Sequence, residues 1–430
     1  MNESIQTGQI VGLTSNGQGI VRQAGLVTFI PYTAEGDTVE YGLIQHKKNF
    51  AIGRLLNILE PSPTRTIPLC QYFGTCGGCQ LQHINYETQV AHKHKWIEDA
   101  FKKIGKFENI SIPSVRPANL QWSYRRHINL VLRKNGEVYQ AGYIKTDNKT
   151  LIAIENCSIF KDKSDPIIKS IQEISCQLKS NDPYDGKVTI LKHFNRYIAH
   201  FHFREMPVNA FEIFSECLKT YPLLNGLLAT SRKKSFQFGV LETTCEIDGL
   251  IFDFTPKTFI QNHPEQGLNI YAAIEKIAEQ NKAEKVLDLY CGIGISTLLL
   301  ARKGCRVKGV ELNPQSIEQA KKNAIKNHLE LAQFVIADVE QVLAQLLTND
   351  QPDFIIVNPP REGLSPKVVQ IIKSKPAKTL IYISCMPSTL ARDLKLLCED
   401  GYQIAEVQCF DMFPQTVHVE TLVVLKSKSI

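Results

Sequence analysis

The sequence has no run long and apolar enough to cross a membrane as a helix. Its opening, Met1-Asn-Glu-Ser-Ile, leads into no apolar stretch of signal-peptide type. These absences argue against a helical membrane protein and set the expectation of a cytoplasmic one. Charge of one sign is not in large excess either, the formal net charge being +6 over 430 residues. That balance mildly favours a polyanionic partner and identifies none. The chain does not have a disordered composition, with 43% hydrophobic and 21% charged residues. A disulfide framework is not expected, because twelve cysteines in a reducing compartment argue for metal-binding or catalytic roles for some of them.

What is present divides into three parts, consistent with roughly 150 residues per domain. From about 4 to 60 the chain reads as all-β. Ile10-Val-Gly-Leu, Gly19-Ile-Val-Arg, Leu26-Val-Thr-Phe-Ile and Thr38-Val-Glu-Tyr lie between turn residues, and 51–59 would close the unit. This spacing fits a small barrel, whether oligonucleotide-binding or of another kind. Glu60-Pro-Ser-Pro-Thr reads as a linker. A cysteine-rich loop then precedes a helix over about 86–105. A mixed, strand-rich stretch follows to about 254, with a hairpin signature at Asn135-Gly136. From about 265 strands and helices alternate. Val286-Leu-Asp-Leu-Tyr, Arg306-Val-Lys-Gly-Val-Glu, Ala332-Gln-Phe-Val-Ile-Ala, Phe354-Ile-Ile-Val and Thr379-Leu-Ile-Tyr-Ile-Ser read as buried parallel strands. Two more strands follow near 403–410 and 417–425, the last inserted antiparallel. The expected class is α/β, with a seven-stranded, mostly parallel Rossmann-like sheet in 256–430, a barrel in 1–62 and an α+β domain in 63–255.

The α/β part carries a ligand signature. Asp288-Leu-Tyr290-Cys-Gly292-Ile-Gly294 follows a strand and opens a helix, so its glycines allow a tight turn and a close approach of backbone to ligand. Glu311 ends the next strand, 23 positions after Asp288, where a carboxylate can accept from ribose hydroxyls. Asp338 closes the third strand and can reach an adenine amino group. A nicotinamide dinucleotide is the rival ligand, but its fingerprint calls for a third glycine at 297, where this chain has Thr297. S-adenosylmethionine has no pyrophosphate to cradle and tolerates that. Turn glycines in an unrelated α/β domain are the bland alternative.

Three further segments carry the chemistry. Asn358-Pro359-Pro360-Arg361 forms a rigid loop after the fourth strand, with Asn358 free to face a donor methyl and an acceptor base. Asn-Pro-Pro also occurs in enzymes that methylate amino nitrogens, which favour an aromatic residue next. Cys385 ends the fifth strand at the ligand edge of a doubly wound sheet. A thiolate there can add to C6 of a pyrimidine and make C5 nucleophilic toward a methyl sulfonium. The alternative is a core cysteine, the role expected of Cys291, Cys305, Cys398 and Cys409. Glu420, in His418-Val-Glu-Thr, stands in an apolar strand where a carboxylate is costly without a role or partner. It can act as the base that removes the C5 proton, or as a salt-bridged structural glutamate. His418 is the weaker candidate.

These residues resemble the RNA 5-methyluridine methyltransferases, in particular the branch acting on uracil C5 of 23S ribosomal RNA, over nearly the whole chain. The resemblance implies Cys385 as nucleophile and Glu420 as base. It implies that Gln261, in Thr258-Phe-Ile-Gln-Asn, joins Tyr290, Glu311 and Asn358 around S-adenosyl-L-methionine. It also implies that the first ~60 residues are a TRAM domain, an RNA-binding barrel of OB-like type. The family usually has Asp where this chain has Asn358, and commonly Asn two residues after the glutamine, where this chain has His263.

Cys70-x5-Cys76-x2-Cys79 brings three thiols into one loop whose glycines let the backbone wrap closely, and Cys157 is a plausible fourth ligand. Four thiolates suit zinc or an iron–sulfur cluster, and spacing leaves both open. The family resemblance implies a 4Fe-4S cluster. Arg125 and Arg126, among the aromatic residues of Trp122-Ser-Tyr124, can bind phosphates and stack bases, or form a charge pair on a solvated strand. Lys93-His-Lys95-Trp96 has the same two readings, and His83, His92 and His94 read as helix-surface residues. The expectation is an S-adenosylmethionine-dependent enzyme making 5-methyluridine in RNA, most of all 23S rRNA, monomeric and with no DNA partner. The alternatives are a tRNA uracil-C5 methyltransferase, an amino-methyltransferase using Asn358-Pro-Pro, and a non-catalytic RNA-binding iron–sulfur protein.

Overall fold

Short alternating runs broken by turn residues make the first part of the chain a five-stranded sheet. Its strands are Ile5–Gln9, Gln18–Gln23, Leu26–Pro31, Thr38–His46 and Phe50–Glu60. The computed structural model describes residues 5–23, 25–160, 165–180 and 182–428. In this sheet the first strand pairs with the fourth, the fourth with the fifth, the fifth with the third and the third with the second. The amide of Val11 donates to Ile20 O and that of Ile20 to Gly12 O, both at 2.9 Å, so the sheet's two edges meet and it closes. Ile10, Val21, Ile30, Val39 and Tyr41 fill the interior. The stretch expected as a linker is pinned: Asp37, fully buried, accepts from Ser62 N at 2.8 Å and from Arg65 at 2.7 Å. Burial alone would raise the Asp37 carboxyl, but Arg65 and the amides of Ser62 and Ala34 outweigh it and hold it low.

The central region is a seven-stranded mixed sheet with the order 235–239, 224–230, 196–202, 186–193, 127–135, 138–144 and 151–152. Period-2 alternation sends Val188, Ile190, Ala199 and Phe201 to one face, against helices Asp165–Gln177 and Ala210–Thr220. The opposite face carries Lys187, Thr189, His200 and His202 at one end and buries Leu191 and Ile198 at the other. Hairpin Thr243–Ile247/Leu250–Phe254 leaves this sheet and packs on the C-terminal part.

The last part contains β1 (Lys285–Leu289), β2 (Arg306–Glu311), β3 (Ala332–Ile336), β4 (Phe354–Val357), β5 (Thr379–Ser384), β6 (Tyr402–Phe410) and β7 (Glu420–Ser427). Helices α1 (Pro264–Gln280), α2 (Ile295–Arg302), α3 (Pro314–Lys326), α4 (Val339–Asp350), α5 (Pro366–Ser374) and α6 (Pro387–Asp400) alternate with them. The strand order is β3-β2-β1-β4-β5-β7-β6, with the first five parallel and β7 antiparallel to both neighbours. Every residue of β4 and β5 is buried, as helices on both faces require. No described helix is long and apolar enough to cross a membrane.

Helix Tyr86–Ala100 starts at Asn85, whose side chain accepts from Thr88 N, and runs into a π-helical turn, Phe101–Gly105. It belongs by sequence to the 63–255 stretch, yet Ile97, Ala100 and Phe101 enter the core formed with α6 and β6. A helical period gives the apolar stripe but not the partner it packs against. The basic segment on this helix is not a phosphate site. Lys93 is wholly buried and donates to Asp411 at 2.6 Å, and Tyr86 donates to the same carboxylate at 2.8 Å. Trp96 is buried with its indole N–H on Leu13 O at 3.2 Å. His83 and His92 are buried too, against the surface placement expected of them, and His83 lies before the helix. Cutting Lys93 to methionine leaves Asp411 charged and unpaired in the interior, at an expected cost of about 3 to 5 kcal/mol. Denaturant unfolding of the Lys93→Met chain measures it, and a midpoint equal to the parent's would refute the pairing.

Candidate active site

The expected donor end lies where β1 and β4 stop. Gln261, Asp288, Tyr290, Gly292 and Asn358 line one cavity, with Ile356 and Ile383 as its floor and Phe259 at its rim. Tyr290 has φ 63°, an uncommon conformation for a residue with a side chain, and it turns the chain out of β1. A side chain added at Gly292 (φ 56°) would meet no atom within 4 Å, so the backbone there borders open space a ligand can fill. Gly294 is different. Its Cβ would stand 2.7 Å from the Phe334 ring, so it is held small by packing under α2.

Asp288 is buried and accepts from Ser296 Oγ and Thr297 Oγ1, each at 2.6 Å. Thr297, where a dinucleotide fingerprint has its third glycine, thus anchors the turn. Burial pushes the Asp288 carboxyl up to about 6 despite these bonds. Glu311 ends β2 and accepts from Gly292 N at 3.3 Å and Asn313 N at 2.8 Å. Asp338 lies outside this cavity's lining: it is exposed and caps α4 by accepting from Glu340 N at 2.9 Å. Its charge still reaches Tyr290, whose phenol is raised to about 12 by burial first and then by Asp338. The departure from the resembled family at His263 and the asparagine before it have local explanations. Asn262 Oδ1 accepts from His127 N at 3.2 Å, and His263 caps α1.

The expected reacting end lies beside this cavity. Asn358 follows β4, and Cys385 follows β5 as the chain enters α6. Ser384 pairs with Thr421 in the β5–β7 ladder, so the next residues outward are Cys385 and Glu420. Two positions 35 apart in sequence thereby become neighbours. Burial, and then the Glu420 carboxylate, push the Cys385 thiol up to about 11, while Arg361 opposes them. Glu420 is 4% exposed, and burial raises its carboxyl to about 8, against the pull of Arg361. Arg361 also lies 3.2 Å from His418 Nε2. His418 is depressed to about 4, by burial first and then by Arg361, so it is neutral at pH 7. Arg361, non-aromatic where amino-methyltransferases favour an aromatic residue, acts electrostatically on both Cys385 and Glu420. Its signal was a cation fixed by two prolines at a ligand-facing strand end.

A model of the tRNA (Uracil-5-)-methyltransferase family matches residues 85–428. The chain belongs to that family. It is an RNA methyltransferase family of the uracil-C5 type. The chain is 47% identical over 423 residues to an uncharacterized RNA methyltransferase of Protochlamydia amoebophila, covering 97% of each. It is 34% identical to another of Synechocystis, over 97% of this chain and 95% of that one. In fold it is similar to a Pyrococcus abyssi tRNA (uracil-54, C5)-methyltransferase solved with S-adenosyl-L-homocysteine. That match has a TM-score of 0.75 and 24% identity, covering 98% of this chain and 100% of the other.

The chain has a second cavity, remote in sequence from the first. Cys70, Cys76, Cys79 and Cys157 all line it, with Arg125, Tyr72 and Tyr143. Among the described residues, however, no group of three or more His, Cys, Asp or Glu is set to hold a metal ion, so a ready-made ion site is not what the four cysteines form. Arg125 turns inward, its buried Nε without a hydrogen-bond partner, and Tyr124 beside it is buried with its hydroxyl on Pro414 O at 3.1 Å. The solvated-strand reading of this segment is therefore corrected. Of the cysteines expected in cores, Cys291, Cys305 and Cys409 are buried and Cys398 is half-buried.

Proposed function

We propose that this chain methylates C5 of a uridine in structured RNA, with 23S rRNA as substrate, through a covalent adduct on Cys385 and with Glu420 as the base. The observation that supports it most is the half-buried thiol beside a buried carboxylate, next to a cavity lined by Gln261, Tyr290 and Asn358. The cavity fits a methyl donor on the open space over Gly292 and the carboxylate of Glu311 at the loop. S-adenosylmethionine, when bound, supplies an electrophilic methyl.

Cys385 gives its proton to solvent and adds to C6 as the thiolate, and the C5=C6 π electron pair moves onto O4. C5 then takes the methyl and still carries its proton. The Glu420 carboxylate removes that proton, C5=C6 re-forms, and the thiolate leaves. Arg361 lies beside both acids and stabilises whichever is ionised. Like charge opposes having both anionic at once. Once sulfur is a neutral thioether, that opposition is gone, and Glu420 ionises most readily at the step that needs a base. The target base must leave its stack to reach the thiol.

The substrate part has a second reading. The resemblance tied an N-terminal barrel to ribosomal RNA, but the Pyrococcus abyssi enzyme, described as acting on tRNA, shares the fold over 98% of this chain. Its length-wide likeness favours tRNA as the alternative. Mass-spectrometric mapping of 5-methyluridine in rRNA and tRNA from a deletion strain separates them. Loss of one 23S rRNA site supports the proposal, and loss only from tRNA replaces its substrate.

We further propose that Cys70, Cys76, Cys79 and Cys157 hold a 4Fe-4S cluster. Four thiol donors around one cavity, with a cationic Arg125 Nε unpartnered beside them, suit a bulky, negatively charged thiolate-bound centre better than a single ion. When bound, the cluster would supply a structural crosslink between the 70–79 loop and the central sheet. Iron and acid-labile sulfide in chain purified without oxygen support this assignment; zinc in their place overturns it.

A further inference from the structure

The polar face of the central sheet ends in a groove that the mechanism above leaves unused. Register sets Lys187 opposite His202 and Thr189 opposite His200, and Thr230 lies beside His202 on the next strand. Thr230 Oγ1 ties the two histidines, at 2.8 Å from His200 Nε2 and 3.0 Å from His202 Nδ1. The turn after Thr230 adds exposed Arg232, Lys233 and Lys234, and Lys257 enters from the segment leading to Gln261. No aspartate or glutamate lines the groove. None of these five cations is in an ion pair among the described residues. The local field is positive enough to show on His200, which burial first, and then His202, Lys257 and Lys187, hold down at about 4.

One end of the groove reaches Gln315, the second residue of α3, close after Glu311 at the donor loop. A cationic trough with hydroxyls and imidazoles, without carboxylates and with Lys257 two residues before Phe259 of the donor cavity, matches a sugar–phosphate backbone. We propose that this groove seats the phosphates of the RNA strand flanking the target uridine. The inference rests on the RNA reading above and names the surface that holds the strand.

The test compares two triple variants of the full chain. Arg232→Gln/Lys233→Gln/Lys234→Gln removes three charges from the groove, and Lys102→Gln/Lys103→Gln/Lys106→Gln removes three from the π-helical turn region. Binding of a labelled RNA stem-loop with a uridine-rich loop is titrated by fluorescence anisotropy across a salt series, with circular dichroism confirming that each variant folds. The groove variant is expected to bind roughly ten-fold or more weakly, and the slope of log Kd against log salt should fall by about 2 to 3. The control should keep the parental Kd and slope. Equal losses in both variants, or none in the groove variant, overturn the proposal. Lys187→Gln/Lys257→Gln, which leaves the turn intact, must move Kd and slope in the same direction or the groove is not the seat. RNA binding with a groove-dependent slope but no methyl transfer by the parent chain overturns the enzymatic reading and leaves the groove standing.

Discussion

Replacing Cys385 with alanine is expected to lower methyl transfer to RNA by roughly 10⁴- to 10⁶-fold, the loss typical of a covalent nucleophile. The reason is chemical rather than structural. Without a sulfur at C6, uracil C5 is too weakly nucleophilic to attack a sulfonium methyl, and no neighbouring thiol can substitute, since the sulfur of Cys291, a residue that also borders the donor cavity, is buried against Gly309 of β2. Donor affinity should be unchanged, because Cys385 does not line the donor cavity. Incubating parent and variant with 5-fluorouridine RNA and donor, then resolving them by denaturing electrophoresis, reads the step directly. Fluorine at C5 cannot be removed as a proton, so the parent should be trapped as a protein–RNA adduct and the variant should not. A variant with parental turnover would end the covalent mechanism.

Glu420→Gln should cost about 10² to 10⁴ in turnover, with a different signature. Addition and methyl transfer precede proton removal, so the glutamine chain should accumulate a methylated adduct on natural RNA, detectable without fluorine. The pH profile follows from the raised carboxyl. With a value of about 8 in the folded chain, the base form is the minority at pH 7, so the parental rate should climb between pH 7 and 9. That limb should vanish in the variant. The linkage sign is opposite for stability. Glu420 is protonated in the native chain and ionised in the unfolded one between its ordinary carboxylate value and about 8, so unfolding releases a proton and native stability falls as pH rises through that window. Glutamine removes the penalty, and the variant should melt higher than the parent at pH 9. A variant that melts lower there, with a parental pH–rate limb, would make Glu420 a structural residue.

Arg361 shows what reading along the chain overlooks. Its importance comes from lying close to two acids that arrive from β5 and β7, and no local pattern records that convergence. Lys93 shows the converse. A lysine among basic neighbours reads as a surface charge, yet it is buried because Asp411, 318 residues away, supplies the counter-charge. Asp338 was legible as a strand-end carboxylate, but its oxygen is occupied in capping α4. Thr297 read as a missing glycine and proves to be a hydrogen-bond donor to Asp288.

The sequence by itself determined the alternation of strands and helices after residue 265, the glycine turn after β1, and thiol, carboxylate and amide types suited to one chemistry. These are local properties, set by side-chain periodicity, backbone freedom and intrinsic reactivity. Only the tertiary structure decided that Cys385 and Glu420 are adjacent, that Arg361 stands beside both, and that four cysteines from two distant segments share a cavity. The first two depend on inserting β7 antiparallel between β5 and β6, and all three on burial that no single segment specifies. The desolvation that lifts the thiol to about 11 and the carboxyl to about 8 exists only once the sheet has closed around them.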